Sequence, residues 1–280
     1  MFRRSVTVVS ALMGILGTGC ASVSHVQTAD TLGAGRFQFG IEPGVMGAAV
    51  LGGDDNNPTA GGYVPHFDMA LRYGVAERVD LGVRVGSSLA ELQTKFLLTE
   101  PGDPVKAISL APSISGASIG SGTNSEGESA STSYLNVSAP LLVGFKTKGG
   151  SELVLGPRVM WTRIAGNVGN DGAALNILSV GASVGYALRV TEGFRLMPEV
   201  GLSFPVVGHA SATNSDSEAI AGFNGGFAQF KLGFLFGAGR PIRRNTDAIP
   251  SDYVEETDRR QGRADDGEST PERGSSDIDY

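Results

Sequence analysis

RYGVAERVDLGVRVGSS, from Arg72 to Ser88, decides the fold. From Val79 onward Val79, Leu81, Val83 and Val85 fall on one side, and Asp80, Gly82, Arg84 and Gly86 on the other. Period-two alternation describes an extended strand with two unlike faces. Just upstream, Phe67, Met69, Leu71 and Tyr73 oppose Asp68, Ala70 and Arg72, and the short stretch Gly74 to Arg78 joins the two runs into a hairpin. The aliphatic face meets either a protein core or hydrocarbon, and the rest of the chain has to say which.

Working outward, the alternation recurs in about ten segments. The first sets Phe37, Phe39 and Ile41 against Gln38, Gly40 and Glu42; the last sets Phe230, Leu232, Phe234 and Phe236 against Gln229, Lys231 and Gly233. Several run ten residues or more, the length of a tilted bilayer crossing. Their polar faces carry Gly, Ser and charges of both signs, as a narrow lumen requires. The connections alternate in length. Gly74 to Arg78, Pro101 to Pro104, Thr147 to Gly150 and Thr191 to Gly193 are short; Gly52 to Gly62, Gly116 to Ser133, Ala165 to Ala174 and Gly208 to Gly225 are long and polar. Short turns at one end and long loops at the other belong to membrane barrels. Edge amides left unpaired in hydrocarbon force such a sheet to close. Residues 35–238 are therefore expected to form an all-β domain, a single closed antiparallel transmembrane β-barrel of about ten strands.

The ends differ from this middle. Arg3 and Arg4 precede an apolar run from Val6 to Leu16 that is too short to span a bilayer, and small residues follow. That is an export signal over 1–19. Leu16-Gly17-Thr18-Gly19-Cys20 resembles a bacterial lipobox with its aliphatic residue one position early, which would make Cys20 a lipidation site; an ordinary secretory cleavage nearby, after Ala21 for instance, is the alternative. Residues 20–34 then read as a periplasmic linker. With a single cysteine in the chain, no disulfide framework exists. Residues 239–280, rich in Asp, Glu, Arg, Ser and Gly, have too little apolar surface to fold and read as a disordered tail carrying much of the net charge of −7. An even strand count puts both termini in the periplasm, where a partner for the tail is conceivable.

Tyr73 to Gly82 resembles the strand–turn–strand units of small bacterial outer-membrane β-barrel proteins. Lys231-Leu232-Gly233-Phe234-Leu235-Phe236 is similar to the terminal-strand signal of that family, although Ala238 stands where a further apolar or aromatic residue is usual, and a tail follows. The resemblance implies insertion by the barrel-assembly machinery and contact with outer-membrane lipids and lipopolysaccharide. It implies no particular activity.

Little chemistry is legible. His25, His66 and His209 lack metal-ligand spacing, and Asp54-Asp55-Asn56-Asn57 is an oxygen-rich loop without the order of a calcium site. His209 and Ser211 share a strand face, and Glu218 follows, a set like that of a barrel lipid hydrolase, but nothing around them matches. The acidic balance disfavours nucleic acid. No catalytic residue, metal or cofactor is expected. The inward set of Glu42, Asp68, Arg72, Asp80, Arg84, Lys95, Glu152, Arg158, Arg189, Glu199 and Lys231 is more telling. In so narrow a barrel these charges either pair and plug the lumen or line a polar path for small solutes. The reading is a non-enzymatic outer-membrane barrel with a structural or porin-like role. The alternatives are a surface or periplasmic lipoprotein with a soluble β-sandwich and, behind it, the lipid hydrolase.

Overall fold

The computed structural model describes residues 24–50, 63–86, 90–121, 130–168, 171–212, 215–219 and 225–237. They contain β1 (Phe37–Val50), β2 (Tyr63–Ala76), β3 (Val79–Gly86), β4 (Ala90–Leu97), β5 (Lys106–Leu110), β6 (Ser113–Ser121) and β7 (Ala130–Lys146). After these come β8 (Glu152–Leu155), β9 (Arg158–Val168), β10 (Asp171–Arg189), β11 (Phe194–Ala212), β12 (Ser215–Ala219) and β13 (Gly225–Phe236).

Each strand pairs antiparallel with its neighbours in the sheet, and the ladder between β1 and β13 (Phe39↔Phe236 through Val50↔Gly225) closes the sheet on itself. Closure excludes the two stacked layers of a sandwich. The wall has 10 staves, because β5 with β6 and β8 with β9 each occupy one position. Those two staves break at Pro112 and Pro157, which lack an N–H to give. Their carbonyls still accept, from Thr94 N at 3.0 Å and Leu141 N at 2.8 Å, so the cylinder stays continuous. β12 pairs with β11 alone, at the loop end.

The short connections (residues 77–78, 98–105, 147–151 and 190–193) lie at one end. At the other end the structure departs from the sequence reading. The stretch 165–174 is a paired hairpin, with Asp171↔Val168 at its tip, rather than a long loop. β6 and β7 likewise reach into 116–133, and β11 reaches Ala212. The reason is geometric. The 19-residue strands β10 and β11 outrun the apolar band of a bilayer, about 25 Å tall. Beyond it both faces meet water, so alternation stops while hydrogen bonding continues. Gly172 to Asn176 are half-buried on both faces. The 8-residue strands β3 and β4 scarcely cover that band. Residues 51–62, with the Asp54–Asn57 cluster, lie outside the described residues, as do the lipobox with Cys20 and the tail from residue 238.

The largest departure precedes β1. Ser24 to Leu32, expected in a periplasmic linker, are all buried. Gly33 (φ 84°) and Gly35 (φ 77°) adopt the left-handed backbone that lets the chain reverse at the short-turn end. Gly35 N–H donates to Gly74 O at 2.8 Å and Gly74 N–H to Arg36 O at 2.8 Å, tying the reversal to β2. The segment therefore folds up into the cylinder. Its partners ascend the wall: Leu32 meets Asp80 near the short turns, and His25 meets Glu91, one residue from the loop end of β4. A polar stretch this rich in charge partners does better inside the lumen than in water, because it satisfies wall charges that would otherwise be stranded.

The barrel interior as a candidate functional site

Inward positions are set by the pleat. On β2 the burial alternates from Asp68 through Ala70 and Arg72 to Gly74, and on β3 from Asp80 to Arg84. Every member of the predicted inward set is buried except Arg189, which pairs with Glu192 (3.2 Å) in the turn between β10 and β11.

Seven of the rest form two linked networks. Lys231 Nζ, wholly buried, donates to Asp68 Oδ2 at 2.6 Å and Glu42 Oε2 at 3.3 Å. Glu42 also faces Arg72 Nη2 (3.4 Å) and Arg84 Nη1 (3.5 Å), and Arg72 donates to Gln38 Oε1 at 3.2 Å. Arg84 Nη2 reaches Glu91 Oε2 at 2.5 Å. The second network centres on Arg158, which donates to Ser183 Oγ (2.7 Å) and to His25 Nδ1 (2.7 Å) and lies 3.9 Å from Glu199. A guanidinium only donates, so His25 Nδ1 accepts and its proton sits on Nε2, which faces Glu91 Oε1 at 3.4 Å. His25 thereby joins the two networks. Lower in the lumen Lys95 pairs with Asp80 at 3.1 Å and Lys146 with Asp30 at 2.5 Å, and Arg195 stands 4.0 Å from Glu152.

The segment from Ser24 to Leu32 is gripped chiefly by its backbone. Its N–H groups at His25, Ala29 and Leu32 donate to Glu199 (3.2 Å), Glu152 (2.8 Å) and Asp80 (3.1 Å). Its carbonyls at Ser24, Thr28 and Asp30 accept from Arg84 (3.0 Å) and Lys231 (3.4 Å), from Lys95 (3.2 Å), and from Lys95 again (2.8 Å). Val26 and Ala29 pack in a small apolar core with Leu97, Leu142, Val154, Ala187, Met197 and Leu235 of the wall. At the short-turn mouth an open cleft is lined by Asp30, Lys146, Glu152 and Arg195 together with Asp103. There the Val105 and Lys106 amides hold the Asp103 carboxyl below its ordinary value.

Outside, the chemistry reverses. Val45, Met69, Val83, Leu92, Ile114, Val137, Val159, Val180, Leu202 and Phe230 all stand exposed around the circumference, on every stave of the wall. Phe37, Tyr73, Phe96, Phe145, Tyr186 and Phe236 ring the short-turn end, with Phe37 and Tyr73 in contact at 4.5 Å. A closed sheet that is charged within and aliphatic without has one stable solvent for its outer face. It is a transmembrane β-barrel.

No protein-family model matches this barrel, and no curated relative does. Among solved structures it is similar to the outer membrane protease OmpT of Escherichia coli, at 9% identity and TM-score 0.42, covering 77% of this chain and 100% of that one. It is also similar to Neisserial surface protein A (11%, TM-score 0.35, 71% and 96%). The COG4313 outer membrane channel of Pseudomonas putida F1 gives 9%, TM-score 0.37, and coverage of 76% and 99%. These likenesses carry no argument about activity; the fold rests on the strand pairing and the two faces of this barrel itself.

Lipid exposure makes a direct prediction. Leu202, at mid-height on β11 and 45% exposed, is expected to lose about 2–4 kcal/mol of stability on change to Arg. Urea unfolding from lipid vesicles would show it, and an unmoved midpoint would place the outer face in water.

Sequence reasoning placed Gln38 and Lys146 on inward faces without counting them in the charge set, and it missed Glu91 and Arg195 as interior groups. The alternation contains them all: Glu91 is two before Gln93, and Arg195 two before Met197. It missed His25 and Asp30 altogether, because nothing local marks a pre-barrel stretch as lumenal. Of the hydrolase set, His209 and Ser211 lie on β11 opposite Asn176 and Ala174 of β10, near the loop end. Among the described residues no group of three or more His, Cys, Asp or Glu side chains is placed to hold a metal ion.

Proposed function

We propose that this protein is a non-enzymatic β-barrel of the bacterial outer membrane, closed at rest, whose role is structural in the envelope. The short-turn end faces the periplasm on this reading, as in barrels with turns inside and loops outside. The outer face contacts membrane lipids, with lipopolysaccharide around the loop end. Lipidation at Cys20 and delivery by the barrel-assembly machinery belong to the same proposal.

One observation carries it: the lumen is occupied. Ser24 to Leu32 fill the interior, and wall charges that would line a path are spent on their main chain or on each other. A path for small solutes is the second reading, favoured by polar atoms that find no partner among the described residues, such as both ends of the Gln27 carboxamide and Nε of Arg84 and Arg158. In planar bilayers the intact protein is expected to be silent at modest voltage. A steady current from it would overturn the closed reading in favour of the path.

A further inference from the structure

The way the lumen holds its contents says what else it can hold. Charged side chains of the wall take N–H groups at His25, Ala29 and Leu32 and carbonyls at Ser24, Thr28 and Asp30. Groups of this kind are present in any peptide. The side chains contribute less. His25 and Asp30 make polar contacts, Thr31 donates to Glu77 O at 2.8 Å, and Val26 and Ala29 pack. Gln27, buried, makes no hydrogen bond among the described residues through either end of its amide. The wall thus takes six backbone groups of the segment while the Gln27 side chain goes unmatched. Charge-assisted bonds are also the strong ones, and most of those that hold the segment go to its main chain, with Asp30 and His25 adding theirs.

We infer that the lumen is a binding site for one irregular peptide segment, recognised through its backbone, and that Ser24 to Leu32 occupy it as a ligand in cis. A peptide of another chain entering from the short-turn end would take the same six backbone contacts once the cis segment withdraws. The orphaned amide of Gln27 lowers the hold of the cis segment, since each buried polar group without a partner is a penalty against the occupied state. Withdrawal needs no break in the wall, because among the described residues the segment joins the barrel covalently through the reversal at Gly33 to Gly35, whose Ala34 is exposed. This rests on the closed-barrel reading but fails separately from it: the bilayer current tests closure, and peptide exchange tests the site.

The experiment uses the full chain with a protease site inserted between Ala34 and Gly35, folded, nicked, and incubated with excess fluorescent peptide. Three probes are compared: a peptide of the sequence Ser24 to Leu32, the same peptide with His25→Ala and Asp30→Ala, and the same peptide N-methylated at His25, Ala29 and Leu32. The first is expected to enter the folded barrel and co-migrate with its heat-modifiable band. The second should enter within about tenfold of the first. The third should be at least about a hundredfold weaker, because three charge-assisted bonds are gone. Equal uptake of the N-methylated peptide, exclusion of the doubly substituted one, or no exchange at all would each overturn the inference.

Discussion

Lys231→Met will unfold at markedly lower denaturant than the wild-type barrel. The ammonium of Lys231 is wholly buried and holds two carboxylates, Asp68 at 2.6 Å and Glu42 at 3.3 Å. Methionine keeps most of the volume and removes the charge. Glu42 retains Arg72 and Arg84 nearby, at 3.4 and 3.5 Å, but Asp68 loses the one cation within ion-pair distance of it among the described residues. Breaking a buried pair by deleting one partner costs about 3–5 kcal/mol, because the survivor is left as an uncompensated charge. Adding Asp68→Asn should recover more than half of that loss, since the pair is then removed evenly and the interaction energy of the two sites is large. The measurement is a double-mutant cycle by urea unfolding, followed as loss of the heat-modifiable band. Additive losses from the two changes would mean that Lys231 acts through packing and not through charge.

Lys231 also shows what the sequence alone makes legible. Its place on the inward face follows from period two alone, as do those of Asp68, Asp80, Arg84 and Glu199, because a sheet with hydrocarbon outside allows no error of register. The alternation is legible wherever a strand separates two unlike solvents. It fades where a strand leaves the apolar band, and so the ends of β6, β9, β10 and β11 read as loops. Partner choice was beyond reach as well. Nothing in the spacing of Glu42, Arg84 and Lys231 says that three distant strands bring them together, since that depends on how the sheet closes between β1 and β13. The segment from Ser24 to Leu32 was hidden for another reason: it is ordered by the wall's charges and by no pattern of its own.

That dependence makes the segment displaceable by one residue of the wall. The space over the inner face of Gly233 on β13 is taken by Val26. A Cβ built there would stand 2.0 Å from Val26 Cγ1 and 3.2 Å from Val26 Cβ. Gly233 is locked opposite Met197 in the β11–β13 ladder, so the wall yields less readily than the segment, which is in no strand ladder and is held chiefly by side chains and a small apolar contact. Gly233→Leu is therefore expected to push Ser24 to Leu32 out of the lumen while leaving the barrel closed and heat-modifiable. Proteolysis within the segment should rise by about tenfold or more, as the buried stretch becomes an open one. A steady bilayer current should appear where the wild-type protein is silent. The milder pair Gly233→Ala with Val26→Ala brings two Cβ atoms to 3.2 Å, a gap the segment can widen by a few tenths of an ångström, and should restore silence. If Gly233→Leu folds and stays silent with its segment protected, the wall is softer than the segment, and the interior is closed by its own ion pairs.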